Sequence, residues 1–212
     1  MTTKPVIAID GPSAAGKGTL ARRLASTLGL PYLDTGLLYR AVGRRVVDAG
    51  GDPSDAATAE RAARSLHEAD LDRSDLREPV VDAAASAVAA FAGVRAALLA
   101  FQRNFATQAG AVLDGRDIGT MIFPDAAAKL FVTASPAERA RRRWLELRGR
   151  GVDADLTTVE DEMSRRDARD TARAAAPLRA ADDAYQLNTS EMDAEAVFQA
   201  ALAYIRKRTN LG

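Results

Sequence analysis

The sequence predicts an α/β fold, a central parallel sheet of five strands with helices on both faces. Three observations predict it. Short apolar, β-branched runs recur along the chain. They alternate with stretches of helical periodicity, the pattern of strands joined by crossover helices. The first run passes through a glycine-rich loop straight into the first helix.

Taken in order, Val6 to Asp10 (VIAID) is a buried strand ending at a glycine. Lys17 to Leu28 is a helix with apolar residues at Leu20, Ala21, Leu24, Ala25 and Leu28, stopped by Gly29. Pro31 to Asp34 is a second strand and Gly36 to Ala49 a helix closed by Gly50 and Gly51. Ala56 to Glu68 reads as a helix, and the polar, aperiodic Ala69 to Pro79 as a loop. Val80 to Phe91 is an alanine-rich helix, broken by Gly93 and followed by another from Val94 to Gln108. Ala111 to Asp114 and Lys129 to Thr133 are strands. Pro136 to Arg150 and Thr157 to Ala172 are charged helices. Tyr185 to Leu187 is a last strand, and Ala194 to Arg208 a closing amphipathic helix.

Composition narrows the chemistry. The 212 residues fit one domain, or one core with small lobes. No cysteine is present, which excludes disulfides and thiolate metal sites, and the single histidine, His67, excludes a histidine cluster. Twenty-nine cations balance 29 anions, against the basic excess of a nucleic-acid binder. Met1 to Ile9 does not resemble a signal peptide, and no apolar run reaches the ~18 residues of a membrane span. A cytoplasmic monomer with neither nucleic-acid nor membrane partners is expected.

Ligands of such sheets bind beyond the carboxyl ends of the strands. The exits after Asp10, Asp34, Asp114 and Thr133 are therefore where a site is expected. The first reads Gly11, Pro12, Ser13, Ala14, Ala15, Gly16, Lys17, Gly18, Thr19. This is G-x-x-x-x-G-K between strand and helix. Small residues let backbone N–H groups converge on an anion, the helix N-terminus adds its dipole, and Lys17 can follow a transferring phosphoryl group. The fold is thus expected to be a P-loop three-layer sandwich with ATP as ligand. The usual motif has Ser or Thr after the lysine, but here Gly18 stands there and Thr19 one later. Magnesium is expected to be held mainly by nucleotide oxygens and water, oriented by Asp114, with no dedicated protein metal site.

At the second exit, Thr35 can cap its helix and Arg40 lies one turn in. At the third, Arg116 and Asp117 follow Asp114, placed either to read a ligand or to pair with each other. Arg166, Asp170 and Arg173 share one helix face, Arg165 and Arg169 the next, a pattern that a solvated charged helix would also give. Arg139, Arg141, Arg142, Arg143, Arg148 and Arg150 crowd the fourth exit, where a lid could close over polyphosphate and exclude water.

GPSAAGKGT at 11–19, DTGLLYR at 34–40, Ser86 with VAAF and VR at 88–95, DGRDIGT at 114–120, FPDA at 123–126 and RRDARD with APL at 165–178 resemble the bacterial cytidylate kinases, essentially from end to end. The resemblance implies transfer of the γ-phosphate of ATP to CMP or dCMP. It implies that Thr35, Arg40, Arg95 and Arg116 lie near the monophosphate and sugar. Ser86, Arg95 and Asp117 would read cytosine, and Arg166, Asp170 and Arg173 contact phosphate and ribose. Lys17, Arg116 and Arg166 are the candidate catalytic residues. It also implies one kinase domain over 1–212: a core of 1–35, 108–134 and 180–212, an acceptor lobe of about 36–107, and a lid of about 135–179. The family's small β-sheet insert has no counterpart here, because 68–79 is too short and too polar. A kinase for UMP or AMP, or a regulatory nucleotide-binding protein, is the alternative; the absence of N-K-x-D argues against a GTPase.

Overall fold

A computed structural model describes residues 4–107, 109–209 and 211. The strands are β1 (Val6–Asp10), β2 (Tyr32–Asp34), β3 (Ala111–Gly115), β4 (Ala128–Thr133) and β5 (Tyr185–Asn188). They form one parallel sheet in the order β2-β3-β1-β4-β5. β1 lies at its centre, with Asp10 beside Gly115 of β3 and Phe131 of β4. The helices are α1 (Lys17–Leu28), α2 (Thr35–Asp48), α3 (Ala56–Arg64), α4 (Pro79–Val88), α5 (Ala92–Ala106), α6 (Pro136–Gly149), α7 (Leu156–Ala172) and α8 (Ala194–Arg208).

The described residues divide into two compact units, one holding those up to Leu33 and those after Thr107, the other Asp34–Thr107. In the first, α1 buries Leu20, Ala21, Leu24 and Ala25 with Ile7, Ile9, Val112, Leu130 and Val132 of the sheet, and α8 adds Val197, Phe198, Ala201 and Ile205. Gly29 ends α1 in the left-handed conformation, the glycine C-cap that the sequence predicts. In the second unit α2 packs on α3 and α4, and α3 on α5.

The helix expected over Ala56 to Glu68 stops at Arg64. The expected loop after it contains two 3₁₀ turns, Glu68–Asp72 and Ser74–Arg77. Ion pairs lie across them: Arg45 with Asp70 at 2.7 Å, and Arg73 with Asp48 and Asp75, each at 2.7 Å. Leu76 is fully buried beneath them. Gly93, expected as a breaker, lies inside the first turn of α5, and the chain breaks earlier, after Val88. A Cβ at Gly93 would fall 1.9 Å from the Glu60 carboxylate of α3, so a larger residue there requires that side chain to move. Gln108, the expected end of this helix, lies outside the described residues. The segment Ile118–Ile122, unassigned in the sequence, is one π-type turn.

No single helix among the described residues is long and apolar enough to cross a membrane. Val80–Val88 and Ala92–Ala106 reach that length and composition only together, and they are bent by 97° where they meet.

Candidate active site

The phosphate loop is shaped by its contact with β4. Gly11 has φ +148°, and a Cβ there would sit 1.9 Å from the carbonyl oxygen of Val132. Ala14 (φ 57°) and Gly16 (φ 92°) take the left-handed conformation that curls a short run of backbone round an anion. Lys17, first residue of α1, is buried and folds back so that Nζ donates to the Pro12 carbonyl at 2.6 Å. Burial, and then the charge of Arg116, pull its pKa down to about 7. Arg166 acts in the same sense and the Asp114 and Asp10 carboxylates in the opposite one. Lys17, Arg116 and Arg166 therefore share one electrostatic neighbourhood.

Asp114 is buried and accepts the Tyr32 hydroxyl on Oδ1 at 2.9 Å. Its Oδ2 would lie 3.6 Å from a Cβ at Gly18. Thr19 is exposed. Asp10, at the end of β1, is a site residue that the sequence reading passes over. Its Oδ1 and Oδ2 accept the backbone N–H groups of Ile118 at 2.8 Å and Gly119 at 2.7 Å. Burial pushes its carboxyl up to about 7 against those two bonds. Its signal was the one used for Asp114, an acid closing an apolar strand.

Arg116 does not depend on Asp117 for an acidic partner. Its Nε donates to Asp170 Oδ2 at 3.0 Å, and Arg173 donates to Asp170 Oδ1 at 2.5 Å. Asp170 is 1% exposed. Burial alone would raise its pKa; the charges of Arg116, Arg173 and Arg166 outweigh it and hold the carboxyl below its usual range. α7 thus separates its charges by face: Arg166, Asp167 and Asp170 turn inward, while Arg165 and Arg169 are exposed. Asp117 is buried directly after Arg116.

The six arginines expected to form a lid are bound to neighbours in this state. Arg139 alone of them is buried; it pairs with Asp167 at 2.7 Å and donates to Ala134 O at 3.1 Å and Ser13 O at 3.4 Å. Arg142 donates to the Thr189 carbonyl at 2.8 Å, and that residue's hydroxyl donates to Ala15 O at 3.3 Å. These two flank the phosphate loop. Arg141 pairs with Glu138, Arg143 and Arg150 with Glu146, and Arg148 stacks on Trp144.

The Asp34–Thr107 unit carries the other four candidates. Thr35, expected as a cap, is the buried first residue of α2, and Asp34 occupies the cap position. Arg40 pairs with Asp82 and donates to Leu76 O at 3.1 Å. Arg95 lies over the Tyr39 ring at 5.5 Å and donates to Ala89 O at 3.4 Å. The Ser86 hydroxyl is buried with no hydrogen-bond partner among the described residues. Buried polar groups are nearly always paired, so an orphan one marks a place where a ligand group is awaited.

A family pattern described as cytidylate kinase matches residues 7–207. A cytidylate kinase of Acidiphilium cryptum (strain JF-5) is 61% identical over 207 residues, 98% of each chain. That of Granulibacter bethesdensis is 61% identical over 203 residues, 96% of this chain and 97% of its own. A solved gluconokinase from Sinorhizobium meliloti 1021 superposes with a TM-score of 0.52 at 14% identity, covering 98% of this chain and 94% of that one, a likeness of fold alone. On the family match and these identities, the chain belongs to the cytidylate kinase family.

Proposed function

We propose that this protein transfers the γ-phosphoryl group of ATP to CMP or dCMP, giving ADP and CDP or dCDP. The observation that carries the reading is the buried Lys17 at the phosphate loop, within the electrostatic reach of Arg116 and Arg166. Three cations in one neighbourhood suit a reaction whose transition state spreads negative charge over phosphoryl oxygens. Lys17 leaves the Pro12 carbonyl for the triphosphate. Arg116 and Arg173, held by Asp170, present guanidinium groups to the acceptor's phosphate and ribose, with Arg40 and Arg95 from the Asp34–Thr107 unit. Ser86 and Asp117 read the cytosine, whose exocyclic amine suits a carboxylate acceptor. Uracil offers a carbonyl at that place and would be repelled.

Transfer is direct. The attacking phosphate oxygen is already anionic, so no general base is required. The one histidine, His67, is exposed and caps the 3₁₀ turn Glu68–Asp72, outside these groups. The protein supplies orientation and charge, and the α6–α7 region excludes water.

The donor set fits magnesium held chiefly by the nucleotide. Among the described residues no three His, Cys, Asp or Glu side chains converge as metal ligands. Gly18 offers no hydroxyl, and the single Asp114 carboxylate borders it. Asp114 would orient the hydrated ion, which would supply neutralisation of the triphosphate's charge. The protein works as a cytoplasmic monomer, with Asp34–Thr107 as its acceptor lobe.

Terminally labelled ATP tests the transfer. Label should appear in CDP in proportion to the ADP formed, with none retained on the protein. Label released as inorganic phosphate at the same rate with or without CMP would contradict the reading.

A further inference from the structure

Besides its charge near Lys17, the Asp10 carboxylate makes contacts that the reading above leaves unused. It is 5% exposed at the root of the phosphate loop, and both of its oxygens are spent on main-chain amides, Ile118 at 2.8 Å and Gly119 at 2.7 Å. Those amides open the π-type turn Ile118–Ile122. The turn starts directly after Asp117, and Asp10 is followed directly by Gly11. One carboxylate therefore ties the first residue of the phosphate loop to the end of the Arg116–Asp117 pair, across the neighbouring ends of β1 and β3. The fit is close. A Cβ at Gly119 would lie 3.4 Å from Asp10 Oδ2 and 3.2 Å from Lys129 Cδ, so the backbone here runs close against both side chains. Asp117 itself has φ −146° and ψ 23°, outside regular helix and strand, and its carbonyl accepts the Met121 N–H at 2.9 Å and the Ile122 N–H at 3.3 Å, so it is carried by the turn that Asp10 holds.

We infer that Asp10 is a positioning residue for the acceptor: its two-pronged hold on Ile118 and Gly119 sets where Asp117 and Arg116 stand relative to the phosphate loop. The inference rests on the reading of Asp117 and Arg116 as acceptor-binding groups. A brace that served only the fold would lower stability when weakened, but it would not act on acceptor and donor separately. Asp10 differs because the segment it holds carries acceptor groups, whereas the phosphate loop is shaped by its own backbone and by β4.

Asp10→Asn tests this with almost no change of volume. An amide can accept only one of the two N–H groups and turns its own NH₂ against the other. Steady-state kinetics with CMP, UMP and ATP should show KM for CMP raised about tenfold or more, the scale of one lost charge-assisted hydrogen bond. The kcat/KM preference for CMP over UMP should fall by about tenfold with it, and KM for ATP should stay within about threefold. Asp10→Glu keeps the charge but carries the carboxylate one methylene further out, so it cannot meet both amides where Asp10 does. It should give the same pattern, with KM for CMP raised about threefold or more. If Asp10→Asn fails to fold, Asp10→Glu decides on the same criteria. Unchanged CMP parameters, or equal rises in KM for CMP and ATP, overturn the inference. A wild type that shows no preference for CMP overturns both this inference and the acceptor reading. A wild type that prefers CMP, beside a variant that keeps the preference, overturns the inference alone.

Discussion

Arg116 Nε donates to Asp170 Oδ2 across 3.0 Å, joining the exit of β3 to the inner face of α7, and Arg173 closes on the other oxygen of the same carboxylate at 2.5 Å. Asp170 is thus a hub for two of the arginines assigned to the acceptor. Replacing it by Asn leaves its volume and removes its charge. Breaking charge-assisted bonds at a buried site should cost about 1–3 kcal/mol of stability. It should also raise KM for CMP about tenfold while KM for ATP changes little. The pH dependence has a definite sign. The folded-state pKa of Asp170 is depressed, so its contribution is present above the ordinary Asp value and is lost as pH falls through the depressed one. Urea titrations of both proteins from pH 6 down to pH 3 should show the wild type losing this increment and Asp170→Asn lacking it. Equal stability of the two proteins at pH 6 would contradict the hub.

Ser86→Ala separates function from fold. The hydroxyl is buried and without a partner among the described residues. Such a group opposes folding by about 1–3 kcal/mol. Its removal should therefore leave the melting temperature unchanged or raised, while CMP preference over UMP falls. A lower melting temperature with selectivity intact would show that the hydroxyl serves packing.

Lys17 should gain a proton when ATP binds. With its pKa near 7 in the free protein it is largely neutral at pH 8, and a bound triphosphate restores its ordinary basicity. Calorimetry in buffers of different ionisation enthalpy should show uptake of about one proton per ATP at pH 8. Lys17→Met should abolish the uptake and lower kcat by about 100-fold or more, with the circular dichroism spectrum unchanged. No uptake by the wild type would mean that Lys17 is already charged.

The shortened segment 68–79 offers a test of what holds it. Its ion pairs are numerous but lie at the surface, where each is worth about 0–1 kcal/mol. Leu76 is fully buried, and truncation of such a side chain costs about 2–5 kcal/mol. Leu76→Ala should therefore destabilise the protein far more than Arg73→Ala in urea unfolding. The reverse order would mean that the ion pairs act as a cooperative network.

Local signals carried most of the fold. β1 and α1 have the limits read from their apolar spacing and glycines, because their ends are set by neighbouring residues. Errors arose where a distant residue decides. Gly93 reads as a breaker in isolation, but it lies within α5, the helix that packs on α3. Segment 68–79 lacks periodicity, yet it buries Leu76 and pairs its acids with arginines of α2. Of the site, the phosphate loop was legible because its chemistry is contiguous in sequence. Asp10 and Tyr32 were not, since their partners, Ile118 with Gly119 and Asp114, approach only when the sheet forms.

The most direct test of the central claim is ADP release measured by a coupled assay with CMP, dCMP, UMP and AMP as acceptors. CMP and dCMP should exceed UMP and AMP by about tenfold or more in kcat/KM, as recognition by buried polar groups requires. Equal rates with UMP or AMP, or no ADP with any of the four, would contradict it.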